Sequence, residues 1–406
     1  MNNELNDIFL ELAKIPSPSL REDSVANKII EILTNSNINA KKDTFGNVIA
    51  KIAPTSEMKK PLLLSAHMDV VGDDSPVVIQ KSDDGRFFET DKKRTLGADD
   101  KAGVAAAIML AKYVSENTER SHGGLELVFT KDEEHDMSGI HHLQFGSLES
   151  EYVLVLDSDK LARLEISGAS YTKLDLVVTT PKGGHSGLDI ADKTRLNAAK
   201  LIAELICQIP QGVYKKDEYG VVTSINIGSI IGGGVESAIS NLPANIPSNE
   251  YTNYIARNSM SNLINQRAQA HYSIRSSEEA AEQMLIEEIK NIAADFNRKY
   301  DGLARCEIEV SEHLKAFEKS DDEYLIETAK KASAMTNIPL SIGSFHAGAE
   351  THIYANEKNK YGKIFKPVLL GVADIYNMHS PEEKIDIASY EKGYEFLKAM
   401  FEEFNS

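Results

Sequence analysis

A chain of 406 residues exceeds the span over which one hydrophobic core usually grows, so two domains are expected. Hydrophobic residues at 42% and charged residues at 26% fit a globular protein and exclude extensive disorder, while a net charge of -18 excludes a nucleic-acid partner, whose phosphates call for clustered Lys and Arg. The only cysteines, Cys207 and Cys306, lie in no paired spacing that suggests a thiolate metal site and read as buried free thiols.

The N-terminal stretch MNNELNDIFLELAKIPSPS has acidic residues where a signal peptide needs a positive start, and no apolar run approaches the roughly 20 residues that cross a bilayer. A cytoplasmic protein with no membrane partner is expected. Leu5, Ile8, Phe9 and Leu12 share one face of an opening helix stopped by Pro16 and Pro18, and a second amphipathic helix runs around Val25 to Leu33. Short apolar strands then alternate with helices: Leu62 to Ala66, a helix from Lys101 to about Tyr113, Leu125 to Thr130, and Tyr152 to Asp157. That alternation predicts a mixed, largely parallel sheet flanked by helices.

From about Tyr171 to Val310 the order becomes strand, helix, strand, strand, helix, strand, which is the split β-α-β unit of a ferredoxin-like α+β domain. After about Glu312 the α/β pattern returns, with a helix from Asp322 to Met335, strands at LSIGS and VLLGV, and a last helix ending near Phe404. The expected organisation is a discontinuous catalytic domain, residues 1–168 and 312–406, carrying an inserted domain at 169–311. Residues 232–262, rich in Gly, Ser and Asn, read as a long loop, functional or mobile.

Candidate chemistry gathers at the carboxyl ends of the predicted strands, where open α/β sheets form their sites. His67-Met68-Asp69 places an imidazole there, with Asp69 able to accept its second ring N–H, although an isolated His-x-Asp is as often a satisfied polar pair. In LGADDKAG two carboxylates precede a helix, a place where acids also serve simply as N-caps. Asp132, Glu133 and Glu134 follow another strand; adjacent acids repel, so burying them calls for neutralising cations or a bound proton. Asp157 ends an almost wholly apolar strand, and His379 follows the last short strand. Oxygen and nitrogen donors without thiolates suit zinc, with manganese or cobalt as alternatives.

SAHMDVV, LGADDKAG, TKDEEHDMSG, VLDSD, GGHSG, HAGAE and HSPEE, in this order and over nearly the whole chain, resemble the co-catalytic zinc exopeptidases. That family includes peptidase T, the cytosolic aminoacyl-histidine dipeptidases and carboxypeptidase G. The resemblance implies two divalent metal ions bridged by Asp99, with His67 and Asp157 completing one site and Glu134 and His379 the other. It makes Glu133 the general base, keeps Asp69 as the orienting carboxylate, and puts a cis peptide at Asp99-Asp100. In the inserted domain it points to His185 as oxyanion stabiliser and to Asn262 and Arg275 as substrate-binding residues. Asn265 stands where the family has Pro, so Asn241 and Asn245 are alternative counterparts of Asn262. HAGAE adds His346, Gly348 and Glu350 as substrate contacts, with a packing role at a helix start as the alternative. His122, His135, His141, His142, His271, His313 and His352 match no ligand position and read as surface or structural.

The resemblance therefore implies a metallopeptidase acting on di- or tripeptides and a homodimer formed through the inserted lid domain. A carboxypeptidase or N-acyl amino acid deacylase would use the same chemistry. A non-catalytic binding relative would be free to lose the ligand set and Glu133, and this chain has lost none of them.

Overall fold

The computed structural model describes residues 2–406, which divide into two compact units: one runs up to Gly168 and resumes at Phe317, and the other is Ala169–Ala316. The return crossing comes later than the expected 311, because the strand Arg305–Leu314 stays paired with Tyr171–Thr179 as far as Leu314 opposite Tyr171.

The first unit is built on an eight-stranded sheet in the order Ala40–Lys42, Val48–Ile52, Leu125–Thr130, Leu62–His67, Tyr152–Val155, Lys366–Leu370, Arg163–Gly168, Ser341–Phe345. Leu62–His67 runs parallel to both Leu125–Thr130 and Tyr152–Val155, and Lys366–Leu370 is parallel to Tyr152–Val155. The four strands thus end at one edge. Leu62–His67 and Leu125–Thr130 are buried at every residue, which is why they are largely apolar without strict alternation.

Over Leu62–His67 lies the helix Ala98–Glu116, with the helices Asn2–Ala13 and Ile387–Phe404 packed against it. Lys101 to Ala111 are all buried, so this stretch of the helix has no solvent-facing side, and its Ala and Gly residues allow close approach to the sheet. Backbone contact is equally close at Gly393, where a Cβ would stand 1.7 Å from the Val372 carbonyl.

In the second unit an antiparallel sheet has the order Gly212–Lys216, Val221–Gly232, Arg267–Ser276, Tyr171–Thr179, Arg305–Leu314. Apart from the edge strand Gly212–Lys216, that is the ferredoxin-like arrangement. Leu174, Leu176, Val178, Ala270 and Ile274 face a core shared with Leu201 and Leu205 of the helix Ala198–Ile206 and with Leu285 and Ile289 of Glu279–Lys299. Residues 232–262 are not a structureless loop. They hold the helices Glu236–Ser240 and Tyr251–Asn258, tied by Tyr254 Oη donating to the Asn241 carbonyl at 2.9 Å and by Met260 N donating to the Gly234 carbonyl at 3.2 Å. Cys306 is buried, whereas Cys207 is exposed because it caps the end of Ala198–Ile206 instead of lying on its apolar face.

Candidate metal centre and active site

His67 closes its strand fully buried, and its two ring nitrogens have different surroundings. Nδ1 lies 3.0 Å from the Asp69 carbonyl and 3.4 Å from the Asp69 carboxylate, so the backbone oxygen is the nearer acceptor and the side chain the second. Nε2 lies 3.1 Å from Asp99 Oδ1 and 3.7 Å from Asp157 Oδ1. On the other side of Asp99, His379 Nε2 is 3.0 Å from Oδ2 and 3.1 Å from Glu134 Oε1. A single carboxylate therefore turns one oxygen to each of two imidazoles, with one further acid beside each.

Local backbone chemistry explains how Asp99 arrives there. Gly97 is left-handed at φ 73°, and a Cβ at that position would meet Val70 Cγ1 at 2.7 Å. Asp99 and Asp100 are joined by a cis peptide and have non-helical dihedrals, so the regular helix starts only after them. Asp100 turns to that helix, its Oδ1 accepting from Gly103 N at 3.1 Å, while its buried Oδ2 has no hydrogen-bond partner.

The acid run after Thr130 is organised by Asp69, whose Oδ1 accepts from Glu133 N at 2.9 Å and whose Oδ2 accepts from Glu134 N at 3.1 Å and Ser19 Oγ at 2.8 Å. Asp132 takes the left-handed conformation at φ 58°, and its N–H donates to Glu22 Oε1 at 3.0 Å. Neighbouring acids thereby enter the short helix Glu133–Asp136 with both amides fixed by one carboxylate.

The cluster is electrostatically unbalanced. Burial first, then the Asp99 charge, pushes Asp157 up to about 8, and burial pushes Glu134 up to about 7 against the opposing pull of His67. Burial likewise raises Glu133 and Asp100 well above the carboxylate range. Asp99 moves the other way: burial opposes its charge, but the hydrogen bonds from His379 and His67 outweigh it. His379 rises to about 9, chiefly through Asp99. Carboxylates packed this closely need neutralising cations or bound protons.

The donor set fits divalent metals. His67, Asp99 and Glu134, and separately His67, Asp100 and Asp157, bring donor atoms within 4.8 Å of one another. All are nitrogen or oxygen donors, as zinc, manganese or cobalt accept.

The remaining expected residues are not part of that donor set. His346 and Gly348 follow the strand Ser341–Phe345, both partly exposed, and lead to Glu350, which is buried, pushed by that burial up to about 7, and accepts from Ser65 Oγ at 3.1 Å. In the second unit, exposed His185 accepts at Nδ1 from Gly187 N at 3.1 Å and Leu188 N at 3.3 Å, and the chain beside it pairs with the segment after exposed Asn262. Arg275 is not in that corner. It sits at the opposite end of Arg267–Ser276, its guanidinium 4.4 Å from the Tyr171 ring centroid. Eight residues of extended strand separate it from Arg267, roughly 27 Å.

His122 and His352 are buried in structural roles, His122 Nδ1 accepting from Gly124 N at 3.1 Å and His352 Nδ1 lying 2.9 Å from the Ala349 carbonyl. Sequence reading passed over two buried ionisable residues close by. Lys101 donates to the Ile15 carbonyl at 2.6 Å, and burial pulls its ammonium down to about 7. Glu383, four residues beyond His379, accepts from the turn that carries Asp99. The signal available for both was their adjacency to metal-type motifs.

Residues 63–403 match the model of peptidase family M20/M25/M40. The chain belongs to that family. His67, Asp99, Glu133, Glu134, Asp157 and His379 all fall inside the stretch that defines this M20/M25/M40 member. It is 24% identical to the uncharacterized protein YqjE of Bacillus subtilis (strain 168), over 97% of this chain and 96% of YqjE. It is 30% identical to the cytosol non-specific dipeptidase of Escherichia coli (strain K12) over 45% of this chain, a match spanning 43% of that dipeptidase. The fold is that of aminopeptidase PepT from Bacillus cereus ATCC 10987, with a TM-score of 0.81, 21% identity, and 100% of this chain and 99% of that one covered. No helix among the described residues is long and apolar enough to cross a membrane.

Proposed function

We propose that this member of the peptidase family hydrolyses short peptides, di- or tripeptides, with two divalent ions, zinc ahead of manganese or cobalt. The observation that carries the reading is Asp99, whose two oxygens face His67 at 3.1 Å and His379 at 3.0 Å. Asp99, His67 and Asp157 would hold one ion, and Asp99, Glu134 and His379 the other. Bound there, the ions would polarise the scissile carbonyl and acidify the attacking water.

Glu133 is the base in this reading. With cations neutralising the acids beside it, its carboxylate would take the proton of the water and return it to the leaving amine, while Asp69 fixes its spacing from Glu134 through the two amides. His185 accepts two amides at Nδ1, which leaves the proton on Nε2 as a donor for the oxyanion. Arg275 would pair with the substrate carboxylate, and Asn262, His346 and Gly348 would line the substrate.

The separation of roughly 27 Å between Arg275 and Arg267, at the strand end nearer His185, supports a homodimer through the second unit, since one short peptide cannot reach both His185 and Arg275 of a single copy. His185 would then serve the partner's site. A mixed dimer of Glu133→Ala and His185→Ala chains should regain activity that neither homodimer has; subunit exchange without recovery overturns the trans assignment. Similarity to the cytosol non-specific dipeptidase of E. coli supports a cytosolic location.

The test of the main reading is metal analysis of the active protein together with a panel of dipeptides, tripeptides and N-acyl amino acids. Two ions per chain, loss of hydrolysis on chelation and turnover of free-amino peptides are expected. Fewer than two ions at saturation rejects the dinuclear reading, and turnover of N-acyl amino acids alone rejects the peptidase one.

A further inference from the structure

Glu383 is fully buried, and its hydrogen-bond partners all belong to the segment that delivers Asp99. Oε2 accepts from Gly97 N at 2.7 Å and from the Thr95 hydroxyl, and Oε1 accepts from Asp99 N at 3.1 Å. Glu383 also belongs to the loop that carries His379, closed by its own N–H donating to the Ser380 carbonyl at 3.1 Å. Immediately after it, the strand Lys384–Asp386 pairs with Phe87–Thr90, the strand that leads back toward Thr95. The carboxylate thus joins two stretches distant in sequence, each bearing one of the residues whose nitrogen and oxygen meet at 3.0 Å in the His379–Asp99 contact.

We propose that Glu383 is a positioning residue for the metal centre: its carboxylate latches the Thr95–Asp99 turn to the His379 loop and so sets the separation of Asp99 and His379. This rests on the reading of Asp99 and His379 as metal ligands. The chemistry requires a carboxylate with both oxygens available, because three donors converge on it and two of them are backbone amides that cannot move without moving Asp99 itself. Gln offers one acceptor oxygen and turns an N–H₂ toward an amide donor. Asp keeps both oxygens but is one methylene short. Outer partners of metal ligands are commonly worth 10- to 100-fold in metal affinity.

The test uses the full chain, wild type beside Glu383→Gln, Glu383→Asp and Thr95→Val, with Co(II) as the probe metal. For Glu383→Gln we expect 10- to 100-fold weaker Co(II) binding by calorimetry and an altered Co(II) visible spectrum. At saturating metal, kcat should fall with KM little changed. In the metal-free protein, the Gly97 and Asp99 amides should lose hydrogen-exchange protection while the strand Leu62–His67 keeps its own. Partial recovery in Glu383→Asp is expected. A Glu383→Gln chain that melts earlier yet binds Co(II) with wild-type affinity and spectrum overturns the proposal, because a purely structural role would do just that. If Glu383→Gln does not fold, Thr95→Val decides: it removes one donor and leaves the carboxylate, and an unchanged Co(II) affinity and spectrum would overturn the latch. Wild type that binds no Co(II) would instead reject the metal reading itself.

Discussion

Replacing Glu133 and Glu134 by Gln, one at a time, separates the two jobs assigned to adjacent residues. Both substitutions preserve shape, and both backbone amides stay anchored on Asp69, at 2.9 and 3.1 Å, so neither should shift the turn after Thr130. Glu134 Oε1 stands 3.1 Å from His379 Nε2, whereas neither His67 nor His379 forms an ion pair with Glu133 among the described residues. Glu133→Gln should therefore retain two ions and lose about 100- to 10,000-fold in kcat, the usual worth of a general base, or about 3 to 5 kcal/mol of barrier. Glu134→Gln removes a proposed ligand and should weaken metal binding by more than the roughly 10- to 100-fold of an outer partner, with activity partly regained at high metal. The assay is a dipeptide turnover series against free metal, with metal content read by elemental analysis on the same samples. A Glu133→Gln enzyme within about threefold of wild type, or a Glu134→Gln protein holding both ions at wild-type affinity, would refute the division of roles.

Metal added to the metal-free protein near pH 7 should release protons, because burial and then the Asp99 charge hold Asp157 up to about 8, and burial holds Glu134 up to about 7; calorimetry in buffers of different ionisation enthalpy measures this, and buffer-independent heats would contradict it. Gly393→Ala should lower stability by about 2 to 3 kcal/mol, because its Cβ would lie 1.7 Å from the Val372 carbonyl and the overlap outweighs the gain in helix propensity; urea melts of the two proteins decide. Asp322 is brought down to about 2, since the hydrogen bonds from Lys366 and Tyr152 outweigh the opposing effect of burial. A lowered folded-state pKa contributes stability that is present above the unfolded value near 4 and lost as pH falls toward 2. Asp322→Asn should accordingly narrow its stability deficit between pH 5 and pH 2.5 in parallel melts, and a constant deficit would exclude the linkage.

The layered α/β architecture and the strand-end location of the acids were legible in the chain because they are local. A run such as LLLSAH reads as a strand to be covered on both faces from its own residues, and a residue just beyond a parallel strand must lie at the sheet's carboxyl edge. His67, Asp99, Glu133, Glu134, Asp157 and His379 could be nominated from their positions relative to strands and from the family resemblance, without knowing a single distance. The helices inside residues 232–262 were not legible, since Gly, Pro and Asn dominate the stretch and its closure depends on contacts such as Tyr254 with Asn241. Nor was the exposure of Cys207, which turns on where Ala198–Ile206 stops.

Tertiary structure alone decided what each polar atom faces. The composition of LGADDKAG does not say that Asp99 turns its two oxygens to two imidazoles while Asp100 folds back onto Gly103, because that depends on the dihedrals of one turn and on the absence of a Cβ at Gly103. Nothing in HSPEEK says that Glu383 reaches Gly97 and Asp99, for those partners lie almost three hundred residues earlier and meet it only once the sheet is assembled. The separation of Arg275 from His185 follows from strand register in the second unit, which two motifs read in isolation do not encode. Hydrophobic periodicity is a property of neighbours along the chain and survives without a fold, whereas hydrogen bonds and shared charges are properties of neighbours in space.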